Sequence, residues 1–376
     1  MKRTSVVFCL LVTASALMLG GCQAPIVIDD EPLVVLPSEE PPPLVPSGPP
    51  IGVALLGQPP VSDSPRTASI GALLEDGLIR AGFTPLMAYA ENPDQQKEQI
   101  QDMINQGAGT IIVTAVAGDS LGAVLKKAKK VGVTIIALER LLINTKRIDM
   151  FVGWDICVAG QLQAMSLLEG LQAKGSPPWN VELIAGASDD LNAKAFFRCA
   201  MKILKPKIDD GTLKVQSGQT TFKQAATAGW LPAEAAKRLT RIIDSHYQKG
   251  QKLDGVLVPS DVIVREIIPV VAAAMFNPVM TGLGATAESI QMIADGMQYS
   301  TLYYGQSALA SNVVEIVLTL QQGEDVVFND TKTYNNGVKV VPAFTLGPTL
   351  VTRDNLCQIF DPGSEAAQAA AATGRC

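Results

Sequence analysis

From Ile51 onward, short apolar runs alternate with amphipathic stretches. "IGVALLG" at 51–57, "FTPLMAYA" at 83–90, "GTIIVTA" at 109–115 and "VTIIAL" at 133–138 are too short for helices and rich in β-branched residues, so they predict strands. Between them lie helical patterns, one over 66–81 and one that opens at a capping Asn92. A third spans 119–130, where Leu121, Val124, Leu125 and Ala128 fall at i, i+3, i+4 and i+7. That spacing gives one buried face and leaves Lys126, Lys127, Lys129 and Lys130 solvated. The rhythm repeats after residue 155, with strands predicted at 181–186, 213–219, 254–259 and 278–282.

Strands that are apolar on both faces and separated by helices imply parallel, doubly wound sheets. Two such halves predict an α/β protein of two Rossmann-like lobes. Open parallel sheets bind ligands beyond the carboxyl ends of their strands. Read along those ends, the chain offers Arg66 after a long loop, Glu139 and Arg140, Asp155, Asp189, Asp190 and Asn192, Trp230 and Asp261. Carboxylates and guanidinium groups that bond neighbouring hydroxyls, with a ring to stack on, are the chemistry of carbohydrate capture. For each residue alone, a solvent-facing cap or salt bridge is the alternative.

The first residues set the compartment. Lys2 and Arg3 precede an apolar run from Val6 to Leu19, which ends in "LGGC". The run is short for a spanning helix and sits where an export signal does. Leu19-Gly20-Gly21-Cys22 resembles a bacterial lipobox, which makes Cys22 the acylated first residue of the mature chain and the membrane attachment a lipid anchor. A plain secretory signal with an incidental cysteine is the alternative. Residues 23–50 are rich in proline and acid, as expected of a disordered tether.

Composition narrows the remaining choices. The net charge of −6 supplies no basic surface for nucleic acid. The 326 residues after residue 50 are comfortable for two lobes. Cys157, Cys199, Cys357 and Cys376 remain in an export pathway that permits disulfides. Three pairings are possible; Cys357 with Cys376 would close a local loop, and four free thiols is the alternative. The one histidine, His246, ends a polar-faced helix, and adjacent Asp189 and Asp190 alone do not make a calcium site. No nucleophile–base or metal-ligand constellation is present in the sequence, so neither an enzyme nor a metal or cofactor is expected.

From Ile51 to about Asn355 the chain resembles the bacterial periplasmic sugar-binding proteins of the ribose, xylose and multiple-sugar type. The block "NDTKTYNNGVKVVPAFTLGPTLVTRDN" (329–355) carries this most specifically, with "GQTTFKQAATAGWLPAEAA", "GASDDLNAKAFF" and "MQYSTLY" in support. The resemblance implies the type I periplasmic binding fold: two lobes joined by three crossings, near 154, 303 and 336. The N-terminal lobe would then be 51–154 with 304–335, the C-terminal lobe 155–303 with 336–360, and 361–376 a tail. It also implies a small-molecule ligand, an ABC permease as partner and, as an alternative, a ligand-poor adaptor that engages a membrane sensor.

Residue by residue, the resemblance matches Arg66, Glu139 and Arg140, Asp155, Asn192, Trp230 and Asp261 to ligand-binding positions, with Tyr304 at the second crossing. Other positions depart from the family pattern. Thr67 replaces an aromatic residue, Ile156 an asparagine, Leu283 and Gly284 an amide and a carboxylate, and Tyr304 a lysine or glutamine. A ligand with fewer hydroxyls, or with an apolar aglycone, suits that balance.

Overall fold

The computed structural model describes residues 48–57, 69–247 and 250–376. The expected signal segment, Cys22, most of the tether and Arg66 lie outside the described residues. In chain order the elements are β1 (Ile51–Leu56), α1 (Ile70–Arg80), β2 (Pro85–Ala90), α2 (Pro93–Asn105), β3 (Thr110–Val113), α3 (Gly122–Lys130), β4 (Thr134–Leu138) and β5 (Met150–Trp154). Then follow α4 (Ile156–Lys174), β6 (Trp179–Leu183), α5 (Leu191–Asp209), β7 (Leu213–Lys214), α6 (Phe222–Ala225), α7 (Pro232–His246), β8 (Gly255–Leu257), α8 (Asp261–Ala273), β9 (Val279–Met280) and α9 (Ala287–Asp295). The chain closes with β10 (Ser300–Tyr303), α10 (Gln306–Gln321), β11 (Ala343–Leu346), β12 (Thr349–Thr352) and α11 (Glu365–Ala372).

Two parallel sheets form, of order β11-β5-β4-β3-β1-β2 and β7-β6-β8-β9. Both are wound outward from their first strand, β1 or β6, which leaves a switch point between β1 and β3 and another between β6 and β8. The first sheet is covered on one face by α2 and α3 and on the other by α1 and α10, through two apolar clusters centred on Ile111 and Ile135 and on Val53 and Ile112. Side chains of β1, β3 and β4 alternate between those clusters, so each strand is buried on both faces. The second sheet is packed in the same way by α4 and α5 on one side and α7 and α8 on the other.

Helix ends follow local chemistry. Ser69 caps α1, Asn92 caps α2 with Pro93 at the first helical position, and Thr221 with Gln224 forms a capping box on α6. Gly160 in α4 lies so close to α5 that a Cβ there would meet the Phe196 carbonyl oxygen at 2.2 Å. Cys157 of α4 and Cys199 of α5 form a disulfide across the same contact, and Cys357 pairs with Cys376.

Three expectations need correction. The strand expected at 213–219 stops at Lys214, because the Ser217 hydroxyl and N–H both donate to the buried Glu182 carboxylate and Gly218 turns the chain with φ of 66°. The third crossing is not near 336. Asn336 donates to the Leu142 and Thr145 carbonyls, Asp330 and Ala343 exchange backbone bonds, and β11 pairs with β5, so 329–346 belongs with the first sheet. The chain leaves that sheet only between Leu346 and Thr349, where β12 takes up an antiparallel pairing with β10. Residues 361–376 are not a loose tail: Ser364 caps α11, and Ala366 and Ala370 are buried against α9.

Candidate functional site

The carboxyl end of β4 turns sharply at Glu139, which holds a left-handed φ of 58°. A non-glycine residue there costs roughly 1–2 kcal/mol, so its surroundings must hold it. The Glu139 N–H donates 2.8 Å to the Val152 carbonyl, and its Oε1 accepts the Trp154 indole N–H at 3.3 Å. Arg140 is exposed, and its Nη1 donates 3.2 Å to the Val116 carbonyl. The two charges therefore do not pair with each other: the glutamate faces the end of β5, while the arginine rests on the loop after β3.

Asp155 follows Trp154 directly and caps α4. Its Oδ1 accepts the Cys157 and Val158 N–H groups at 2.8 and 2.9 Å, and its own N–H donates to the Leu346 carbonyl. Two tyrosines close around it. The Tyr304 ring lies 4.7 Å from the Trp154 ring, and the Tyr334 hydroxyl donates 3.4 Å to the Trp154 carbonyl. Burial, with the Asp155 carboxylate acting in the same direction, raises both phenol pKa values, that of Tyr334 to about 12. All three crossings thus meet on Trp154 and Asp155, through Tyr304 on one return and Leu346 on the other.

In the second lobe the expected residues divide into two groups. Trp230 sits in a 3-10 turn with φ of 59°, the other candidate residue held in the left-handed region. Its indole N–H donates 3.0 Å to Asp190 Oδ2, while Asp190 Oδ1 caps α5 by accepting the Asn192 and Ala193 N–H groups. Gly186, three residues past β6, lies flat against this ring; a Cβ there would stand 2.1 Å from it. Asn192 is exposed beside the cap.

Asp261 is placed differently. It is 1% exposed, and both carboxylate oxygens accept the Thr301 hydroxyl at 2.8 Å. Gln298 Nε2 donates 2.9 Å to Oδ1, and the Thr286 N–H reaches Oδ2 at 3.3 Å. Its carboxylate oxygens are thus bonded within its own lobe. Desolvation raises its pKa against the pull of those bonds. Above it, Leu283 and the exposed Gly284 end the β9 segment with no polar side chain. Half-buried Leu283, Ile156 and Leu350 join Ala159, Phe196 and Leu302 in a small apolar cluster at this end of the lobe.

The sequence reading does not pick out Trp154, Tyr334 or Gly186. "FVGWD" placed a ring one residue before the hinge aspartate, a signal available in the sequence. Tyr334 was not findable that way, because it reaches Trp154 across 180 residues. Among the described residues no His, Cys, Asp and Glu cluster suits a metal ion, and no helix is long and apolar enough to cross a membrane.

Comparison with known proteins agrees with this architecture. Residues 82–325 match the periplasmic binding protein domain. The chain is 33% identical over 321 residues to the multiple sugar-binding periplasmic receptor ChvE of Rhizobium radiobacter, covering 83% of this chain and 89% of that one. It is 32% identical over 267 residues to the D-xylose-binding periplasmic protein of Escherichia coli, covering 70% and 76%. Among solved structures, an ABC transporter solute-binding protein from Clostridium phytofermentans with bound β-D-glucose superposes with a TM-score of 0.62 at 33% identity, over 81% of this chain and 94% of that one. A carbohydrate transporter solute-binding protein from Chloroflexus aurantiacus with D-glucose gives 0.62 at 27% identity, over 81% and 93%. With two doubly wound lobes joined by three crossings, and with these relatives along most of its length, the chain belongs to the periplasmic binding protein family.

Proposed function

We propose that this protein is an exported solute-binding protein that captures a carbohydrate bearing an apolar substituent and delivers it to an ABC permease. The same proposal has it held at the membrane by lipid on Cys22. Support for carbohydrate comes from the sugar receptors and glucose-bound structures to which the chain is similar. No catalytic step is assigned to any residue.

The observation that carries the ligand class is the contrast around the hinge. Glu139 and Asp155 each use one carboxylate oxygen in the bonds described above and present acceptors for hydroxyls. Trp230 is a ring fixed on both sides, by Asp190 and by Gly186, and suits the apolar face of a pyranose. On the second lobe the only carboxylate at the β8 end, Asp261, is sealed away, and Ile156, Leu283 and Leu350 stand nearby. A free sugar hydroxyl set against that patch would lose its water without gaining a partner, at a cost of about 1–3 kcal/mol. A methyl group or an aglycone there gains instead.

Isothermal titration with D-glucose, D-xylose, methyl and phenyl β-D-glucosides and a 6-deoxyhexose tests this. The expected outcome is saturable binding that strengthens from glucose to the apolar derivatives. Absence of heat and of thermal shift with the whole panel defeats carbohydrate capture; tighter binding of free glucose defeats only the apolar part. Metabolic labelling with a fatty acid analogue, lost on Cys22→Ala, tests the anchor.

A further inference from the structure

One cavity lies away from the hinge. It has a volume of about 470 Å³ and lies at the other end of the second sheet, where the segments before β6, β8 and β9 meet. Helix α4 connects the two places: Asp155 caps one end and Lys174 closes the other. Nineteen residues at about 1.5 Å each put some 28 Å between them. A ligand in one place cannot touch the other.

Three features of the cavity wall point to an occupant. Trp179 is only 7% exposed, yet its indole N–H is buried without a hydrogen-bond partner. The N–H is sealed from the cavity as it stands, and because buried donors are nearly always paired, an acceptor that reached it through a small shift of the wall would gain a bond. Lys174 donates 2.7 Å to the Asn277 carbonyl and lines the same wall. Burial lowers its pKa, and the Asp254 carboxylate opposes that shift. Asp254 is already engaged, since its Oδ2 accepts the Asn180 N–H at 2.8 Å. With Lys252 also in the lining, the charged residues there are two lysines against one aspartate.

Leu253, Phe276 and Pro178 give the wall apolar surface beside the polar Ser176, Gln251 and Asn277. Met275, at its rim, is 93% exposed and holds a left-handed φ of 59° at the position after a helix that glycine usually fills. A large apolar side chain that is both strained and bare has no folded-state benefit within the chain. Contact with something seated in the cavity would give it one.

We propose that this cavity is a second ligand site, which takes a small organic anion with an apolar body: a carboxylate for Lys174 and, once the wall shifts to admit it, the Trp179 N–H, and a hydrocarbon ring or chain against Phe276, Leu253 and Met275. The site is independent of carbohydrate capture at the hinge.

Indole N–H resonances of the full chain labelled with 15N-tryptophan give a direct readout, because the sequence holds three tryptophans, Trp154, Trp179 and Trp230. Trp179→Phe assigns its resonance. Benzoate is expected to move the Trp179 resonance saturably, while benzyl alcohol and inorganic phosphate do not. Lys174→Gln should weaken benzoate at least tenfold, and Met275→Gly by a few fold. Benzyl alcohol as effective as benzoate, phosphate as effective as benzoate, an unchanged affinity in Lys174→Gln, movement at Trp154 or Trp230 instead, or no movement with any probe each overturns the proposal.

Discussion

The two lobes share a winding plan but not a means of holding together. The first has six strands of four to six residues and two broad cores, and among the described residues it carries no disulfide. The second has four strands of two to five residues, and both disulfides fasten its segments. Short strands give few ladder bonds and a smaller face for helices to cover, so covalent ties take over part of that task. The lobes also treat charge differently at their ligand ends. The first leaves Glu139 reachable, whereas the second spends Asp261 on its own interior.

The largest expected effect tests the covalent contrast. Loss of Cys157–Cys199, which closes a separation of 42 residues, should cost about 4 kcal/mol on chain-entropy grounds, and loss of Cys357–Cys376, over 19 residues, about 3 kcal/mol. Denaturant unfolding of the paired alanine variants, followed by hydrogen exchange, should show the second lobe opening first. Equal loss of protection in both lobes would break the comparison.

Next in size is Trp230→Ala. Removing a fixed ring from the site should weaken a bound glycoside by about 2–3 kcal/mol, close to a hundredfold, with little change in melting temperature. Calorimetric titration and a thermal melt on the same sample separate the two effects. Glu139→Gln should be milder, about tenfold in affinity, because one acceptor for a hydroxyl becomes a weaker one.

The smallest effect is a matter of pH. Burial raises the Asp261 pKa above its unfolded value. The native state therefore binds the proton more tightly than the unfolded state, and stability falls as pH rises from the ordinary carboxylate range through the folded pKa. Asp261→Asn removes that dependence. Denaturation at pH 4 and pH 7 should show wild type losing ground to the variant at the higher pH, and a difference that does not change with pH would mean the carboxylate is not penalised. Affinity for ligand in the folded variant should stay close to wild type, in contrast with Glu139→Gln.

Most of the architecture was legible because strands buried on both faces leave continuous apolar runs, as 109–115 and 133–138 do. The 213–219 strand was not, because its alternation is interrupted by a bond from Ser217 to Glu182, residues 35 apart in sequence. The third crossing was misplaced for a similar reason: Asn336 looks like a turn residue locally, yet its amide reaches back to Leu142 and Thr145. In the candidate site, Glu139 and Trp230 stand out in the sequence as residues at strand and loop ends. Their left-handed backbone does not, since neither is glycine. Asp261 is the opposite case. An aspartate after a strand reads as a ligand group, and only the distant Gln298 and Thr301 show that it is already satisfied.

The pairing of β11 with β5 has a consequence for how the protein is made. The first sheet begins with Ile51, but its last strand is Ala343–Leu346, and one of its covering helices is α10. The sheet that begins first is therefore completed only after all four strands of the second sheet have emerged behind it. Until then β5 presents an open edge, the kind of edge that pairs with strangers.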